Sequence, residues 1–142
     1  MILEFNNLGN LPVGKHDITW DEFCNYFGYT EHRRKLIDGL KKGLLILKNY
    51  DCKIVYIDGS FVTDKERPND FDACWEYNIN MDVFLDHFLL NYPEFFEENS
   101  SQMKDKYYGE FYQASAVLNV FQKDKKTNEP KGIIRLKLAE LS

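Results

Sequence analysis

Two aspartates separated by a single residue form the pattern in this sequence with the clearest chemical use. Asp70 and Asp72 flank Phe71 at the start of a stretch, 71–76, whose composition predicts a strand. Because side chains alternate between the two faces of a strand, both carboxylates are expected on one face and Phe71 in the core. Carboxylates on one face repel each other unless they share a cation, and Mg²⁺ takes such oxygen ligands while leaving positions for phosphate. The spacing therefore predicts a metal site at Asp70 and Asp72.

A glycine–serine pair precedes these aspartates, with nine residues between Ser60 and Asp70. Gly59 and Ser60 follow the segment 53–57, whose β-branched and aromatic residues predict a strand. Glycine lets a backbone approach phosphate closely, and backbone N–H groups and a serine hydroxyl can then bind the phosphate oxygens. A strand, a Gly-Ser turn, a loop over 63–69 and a second strand together indicate a phosphate site beside the metal site.

Two helices should support these strands. Thr19 and Glu22 form a capping-box pattern, which predicts a short helix ending near Gly28. Thr30 is the expected N-cap of a second helix over 31–49. Its buried stripe consists of leucines at helical spacing, namely Leu36, Leu40, Leu44 and Leu47.

The rest of the chain gives weaker patterns. The residues up to Gly14 are expected to form an irregular arm, 83–90 a helix that stops before Pro93, and 94–106 a mobile region. The segment 114–122 fits strand or helix, 123–131 a turn, and 133–138 a final strand.

Composition limits the class of protein. The 142 residues suit one domain, 1–142, and 44% hydrophobic residues exclude a disordered chain. A net charge of −5 argues against a dedicated nucleic-acid coat but allows a nucleotide that brings its own magnesium. Three cysteines without CxxC spacing argue against zinc and for reduced thiols. Neither a signal peptide nor a membrane segment is expected, so the predicted location is the cytoplasm.

Gly59-Ser60, a spacer and Asp70-x-Asp72 resemble the signature of the polymerase-beta-like nucleotidyltransferase superfamily. More of the chain resembles an uncharacterised bacterial family of small nucleotidyltransferase-like proteins. The resembling segments are 11–14 with 19–20, 32–34, 56–75, 109–111 and 131–134.

The resemblance implies an α+β fold, with a small mixed twisted sheet and flanking helices. It implies transfer of a nucleoside monophosphate from a nucleoside triphosphate to an acceptor, with pyrophosphate leaving. In that case Asp70 and Asp72 are catalytic and bind Mg²⁺, while Gly59 and Ser60 bind the outer phosphates. Lys65 and Arg67 would neutralise triphosphate charge from the loop, although a solvated loop is the alternative for these two side chains.

The sequence departs from the superfamily pattern at two points. Asp58 stands where an apolar residue usually precedes the glycine. A third carboxylate is also usual on a later strand, and three residues remain as candidates for it: Asp82, Glu110 and Asp124.

Three functions from different classes follow. The first is a nucleotidyltransferase whose acceptor is a small molecule, an RNA end or a protein hydroxyl, and small members of the superfamily often belong to toxin–antitoxin or phage-defence pairs. The second is a catalytically inactive domain that binds a nucleotide or a protein partner. The third is a structural partner of a toxin.

Two aromatic and basic clusters leave alternatives open. The basic run 32–34 at the start of the second helix opposes the helix dipole, which indicates either an ordinary local role or an acidic ligand. Tyr107, Tyr108, Phe111 and Tyr112 fit the core better than a base-stacking platform. Trp75 is also expected in the core.

Overall fold

A computed structural model describes residues 4–7, 9–97, 101–114 and 132–141. The strands are β1 (Lys15–Asp17), β2 (Ile54–Asp58), β3 (Phe71–Trp75), β4 (Gly109–Gln113) and β5 (Ile133–Lys137). The helices are α1 (Trp20–Phe27), α2 (Glu31–Asn49), α3 (Leu85–Asn91) and α4 (Ser101–Tyr107). Short 3-10 turns lie at Ser60–Val62, Ile79–Phe84, Pro93–Phe96 and Leu138–Glu140.

The five strands form one mixed sheet in the order β1-β5-β2-β3-β4. The central strand β2 runs antiparallel to both β3 and β5, whereas β1 pairs with β5 and β4 pairs with β3 in parallel. The predicted α+β class, with a small mixed sheet and flanking helices, is therefore confirmed.

Side-chain caps start α1 and α2 where the sequence predicts them. Thr19 accepts from the backbone N–H of Glu22, and the Glu22 carboxylate accepts from the N–H of Thr19. Thr30 accepts from the N–H of Arg33 and begins α2 at Glu31. Both caps satisfy backbone donors that have no partner within the helix.

The core lies between the helices and one face of the sheet. The four predicted leucines of α2 are buried, as are Trp75 and the inward residues of β2 and β3. Gly39 and Gly43 bring α2 close to its neighbours, because a Cβ at either position would overlap the carbonyl of Tyr107 or the ring of Phe111. These contacts fix α2 against α4 and β4.

Several local predictions were wrong or incomplete. The region 94–106 was expected to be mobile, but Pro93–Phe96 is a 3-10 turn and 101–107 is α4, held by buried Phe95 and Met103. The strand β1 falls just after the expected arm, and β4 was not predicted at all. The helix expected over 83–90 begins as a 3-10 turn and becomes α3. The predictions for 115–122 and 123–131 fall outside the described residues.

Within the part of the chain that the structure describes, no helix combines the length and apolarity needed to cross a bilayer.

Candidate functional site

The candidate site lies where β2 ends beside the beginning of β3. In the antiparallel register Asp58 is directly opposite Asp72, and Tyr56 is opposite Cys74. Opposite residues project from the same face of a sheet. We call this side the site face, because the helices pack on the other one, where Ile57 and the rest of the inward residues lie.

Asp72 packs against the glycine of the predicted phosphate turn. Gly59 has φ +80° and ψ −165°, a conformation that other residues rarely adopt. A Cβ at this position would overlap Oδ2 of Asp72. The missing side chain therefore makes room for the carboxylate, and the structure brings Asp72 and Gly59 together.

The charge density on the site face is high. Asp58 is only 1% exposed. Burial, together with the nearby charges of Asp58 and Asp72, raises the pKa of the Cys74 thiol to about 12. Two carboxylates in opposite positions of a strand pair repel each other, so a cation between them would stabilise the pair.

Of the candidate third carboxylates within the described residues, which are Asp82 and Glu110, Glu110 lies beside the aspartates. It is the parallel partner of Asp72 on the neighbouring strand β4. Asp82 instead accepts a hydrogen bond from the hydroxyl of Tyr77, and Asp124 lies outside the described residues. The pairing of β4 with β3, which the sequence did not predict, is what distinguishes these candidates.

Asp70 and Glu110 share a basic partner on α4. Lys104 Nζ lies 3.4 Å from Oδ2 of Asp70 and 3.4 Å from Oε1 of Glu110. The two carboxylates raise the pKa of Lys104, Glu110 more strongly than Asp70. The aspartate before β3 and the glutamate on β4 thus point toward one position, although the lysine head group lies between them.

The predicted metal ligands do not converge as a closed set. Among the residues that the structure describes, no three carboxylate, imidazole or thiol groups come together closely enough to hold a metal ion. The ammonium group of Lys104 lies between the carboxylates of Asp70 and Glu110.

Ser60 begins a turn rather than a helix. It is partly buried, and its carbonyl accepts from the hydroxyl of Thr63 at 2.6 Å. Because the 3-10 turn Ser60–Val62 has only three residues, it adds no extended helix dipole. Any phosphate contact here depends on the Gly59 and Ser60 backbone and on the Ser60 hydroxyl.

A family model matches this chain over residues 3–137 and is described as a family of unknown function, DUF6932. The chain belongs to the DUF6932 family. No curated protein and no solved structure gives a significant match.

In this DUF6932 protein the loop after the Gly59-Ser60 turn is held by the basic run at the start of α2. The buried guanidinium of Arg33 donates to the carbonyls of Phe61, Thr63 and Lys65, at 2.6–2.8 Å for the shortest bond to each. His32 Nε2 lies 2.6 Å from the carbonyl oxygen of Pro68. The basic residues 32–34 therefore order the loop. This is the ordinary local role that was the alternative to binding an acidic ligand.

The loop presents the two predicted phosphate-binding side chains to solvent. Lys65 and Arg67 are exposed, and Lys65 is fixed through its carbonyl rather than through its side chain. Their role in phosphate binding stays a prediction.

Two residues of the DUF6932 site were missed by sequence reasoning. Lys104 lies in a region predicted to be mobile, so no position could be assigned to it. Asp58 was noted only as a departure from a pattern, yet its register opposite Asp72 places it at the centre of the site face. Glu110 could have been grouped with the aspartates of the site face only if residues 109–113 had been predicted as a strand.

Proposed function

We propose that this DUF6932 protein transfers a nucleoside monophosphate from a nucleoside triphosphate to an acceptor hydroxyl. The observation that carries the proposal is the contact between Gly59 and Asp72, with Glu110 as the register partner of Asp72. The Gly59-Ser60 turn, which suits phosphate, thus lies beside carboxylates that suit magnesium, where β2 ends and β3 begins. Neither group alone would favour this reaction.

Asp70 and Asp72 are the residues that would hold Mg²⁺, with Glu110 as the neighbouring candidate for a further ligand. Mg²⁺ is usually held by one or two carboxylates together with water and substrate phosphates, so a closed set of three protein ligands is not required. The hard oxygen donors of Asp70 and Asp72 fit this ion, and the absence of a side chain at Gly59 lets the Asp72 carboxylate lie against the turn. When bound, the ion supplies charge neutralisation and Lewis-acid assistance to the phosphates.

The protein groups have separate tasks in this proposal. The Gly59 and Ser60 backbone binds the outer phosphates, and the exposed Lys65 and Arg67 neutralise their charge. The acceptor oxygen forms a bond to the α-phosphorus while the bond to the β-phosphate oxygen breaks. Pyrophosphate leaves with that electron pair, and the acceptor proton goes to a carboxylate of the site or to water.

A cytoplasmic setting is consistent with this chemistry. Cys24, Cys52 and Cys74 are all free thiols in the structure. Reduced cysteines are typical of the compartment that also supplies nucleoside triphosphates and magnesium.

The reaction is tested by labelled transfer. The protein is incubated with Mg²⁺, a cell extract and nucleoside triphosphates labelled at either the α- or the γ-phosphate. Nucleotidyl transfer moves the α-label to an acceptor and never the γ-label, whereas phosphoryl transfer does the reverse. The double variant D70N/D72N should lose the transfer, and D86N, which changes an exposed carboxylate on α3, should keep it.

A second function is favoured by one specific observation. Lys104 already pairs with two of the three carboxylates, as expected of a domain that binds a nucleotide or a protein partner without catalysis. Magnesium-dependent nucleotide binding without transfer of either label would support this inactive domain and contradict the enzyme.

A further inference from the structure

Lys104 is held at its backbone but has freedom at its head group. Its neighbours on α4, Met103 and Tyr107, are buried, and the sulfur of Met103 accepts from the N–H of Phe111 at 3.2 Å. The side chain of Lys104 itself is 53% exposed. A flexible four-carbon stem on a fixed helix can therefore swing its ammonium group without disturbing the fold.

The position of this ammonium group is unusual for a surface ion pair. It lies 3.4 Å from one carboxylate oxygen on each of two different strands or strand ends, and Glu110 is only 12% exposed at its side chain. An exposed pair of this length contributes little to stability. The contact thus stabilises the fold weakly and occupies the space between two candidate metal ligands.

We propose that Lys104 is an internal counter-ion that competes with the divalent cation for Asp70 and Glu110. This inference rests on the proposed metal site. While the ammonium group lies between the carboxylates, a dication meets both a blocked position and a like charge. A triphosphate relieves this block, because its oxygens give the displaced ammonium group a new partner. Metal and triphosphate therefore bind together more tightly than either binds alone.

The charges set the direction of the effect. A unit positive charge about 4 Å from a dication repels it appreciably at the dielectric constant of a protein surface. Replacing Lys104 with a neutral side chain removes that repulsion and frees both carboxylates, so the affinity for the metal alone rises. The same change removes a partner of the triphosphate, so the help that the nucleotide gives to metal binding falls.

The test is a titration with Mn²⁺, followed by the loss of the free-ion electron paramagnetic resonance signal. Four proteins are compared: the wild type, K104Q, K104R and K42Q. Lys42 is exposed on α2, so K42Q matches the change in net charge away from the site, and K104R keeps the charge in place. A thermal melt of each variant establishes that it is folded. The coupling to nucleotide is measured separately, by calorimetric titration of a non-hydrolysable triphosphate into each protein with and without Mn²⁺, because a triphosphate in solution removes free Mn²⁺ by itself. By linkage, the gain in triphosphate affinity caused by the metal equals the gain in metal affinity caused by the triphosphate.

K104Q is expected to bind Mn²⁺ about three- to tenfold more tightly than the wild type, with K104R and K42Q close to the wild type. The gain in metal affinity caused by the triphosphate should be smaller in K104Q. Binding of Mn²⁺ by K104Q but not by the wild type would support the proposal most strongly, because the ammonium group of Lys104 would then exclude the metal completely.

Equal or weaker binding by K104Q, in a wild type that does bind Mn²⁺, would overturn the role of Lys104 and leave the proposed metal site intact. An increase of the same size in K42Q would also overturn it, because net charge alone would then explain the effect. Absence of binding in every variant, with and without the triphosphate, would remove the metal site and both proposals with it.

Discussion

Gly59 places the strictest steric demand on the candidate site. Its φ of +80° disfavours any side chain, and the carboxylate of Asp72 fills the space where a Cβ would lie. The two constraints are independent, because one concerns the backbone of the turn and the other its neighbour on β3. A substitution here should therefore affect both stability and binding.

Gly59→Ala is expected to destabilise the protein by about 1–3 kcal/mol and to weaken magnesium-dependent triphosphate binding. Gly14→Ala is the matched control, since Gly14 also has a positive φ, +122°, but a Cβ there would meet no atom within 4 Å. Urea unfolding gives the loss in stability, and calorimetry gives the affinity. Unchanged triphosphate binding by a folded Gly59→Ala variant would show that Asp72 does not need the space.

The loop over 63–69 depends on one buried side chain of α2. Arg33 is fully buried, and burial lowers the pKa of its guanidinium group. It also donates to the carbonyl of Phe27 at 3.2 Å, so a single side chain joins the end of α1, the phosphate turn and the loop. The elements around the site are thereby held by α2.

Arg33→Met should lower the free energy of unfolding by about 3 kcal/mol or more, because several buried carbonyls lose their donor. Arg34→Met is the control, since Arg34 is exposed and donates only to the carbonyl of Gly28 in the described contacts. Urea unfolding of both variants checks the difference. Equal effects of the two substitutions would contradict the role given to Arg33.

A buried carboxylate joins the Pro93–Phe96 turn to α4. Glu94 accepts from the ammonium of Lys106 and the hydroxyl of Tyr107, each at 3.0 Å. Burial opposes ionisation, but hydrogen bonds from the backbone, Lys106 and Tyr107 outweigh it and lower the pKa of Glu94. This ionised group helps to fix the helix that carries Lys104.

Because the folded pKa of Glu94 is below its unfolded value of about 4.3, its contribution is present above that pH and is lost as the pH falls through the folded value. Glu94→Gln should therefore reduce stability by about 1–3 kcal/mol at pH 7, and the difference from the wild type should shrink toward pH 3. Urea unfolding across this range measures it, with Glu97→Gln as the exposed control. A difference that does not depend on pH would contradict the ionised state of Glu94.

Across the molecule, sequence patterns predicted the features that depend on interactions between residues close together in the sequence. The caps at Thr19 and Thr30 and the leucine stripe of α2 depend on residues three or four apart, so the sequence was sufficient for them. The alternation around Phe71 likewise placed it in the core. The resemblance to nucleotidyltransferases added the expectation of a mixed sheet, which the structure confirms.

The features that the sequence did not predict depend on contacts between segments far apart in the sequence. The strand β4 is short and follows a polar region, and only its parallel pairing with β3 gives Glu110 a place beside Asp72. Lys104 forms an ion pair with Asp70, from which it is separated by 34 positions in the sequence. No periodicity within one segment carries such information, because it depends on tertiary packing.

The most direct test of the central claim is a thermal melt with a non-hydrolysable nucleoside triphosphate, with and without Mg²⁺. A ligand that binds only the folded state stabilises it by about 2.7 kcal/mol at a hundredfold excess over Kd. We expect the wild type and D86N to be stabilised only when both triphosphate and Mg²⁺ are present, and D70N/D72N to remain folded without any such shift. An equal shift in D70N/D72N, or no shift in the wild type at any ligand concentration, would contradict a metal-dependent nucleotide site at Asp70 and Asp72.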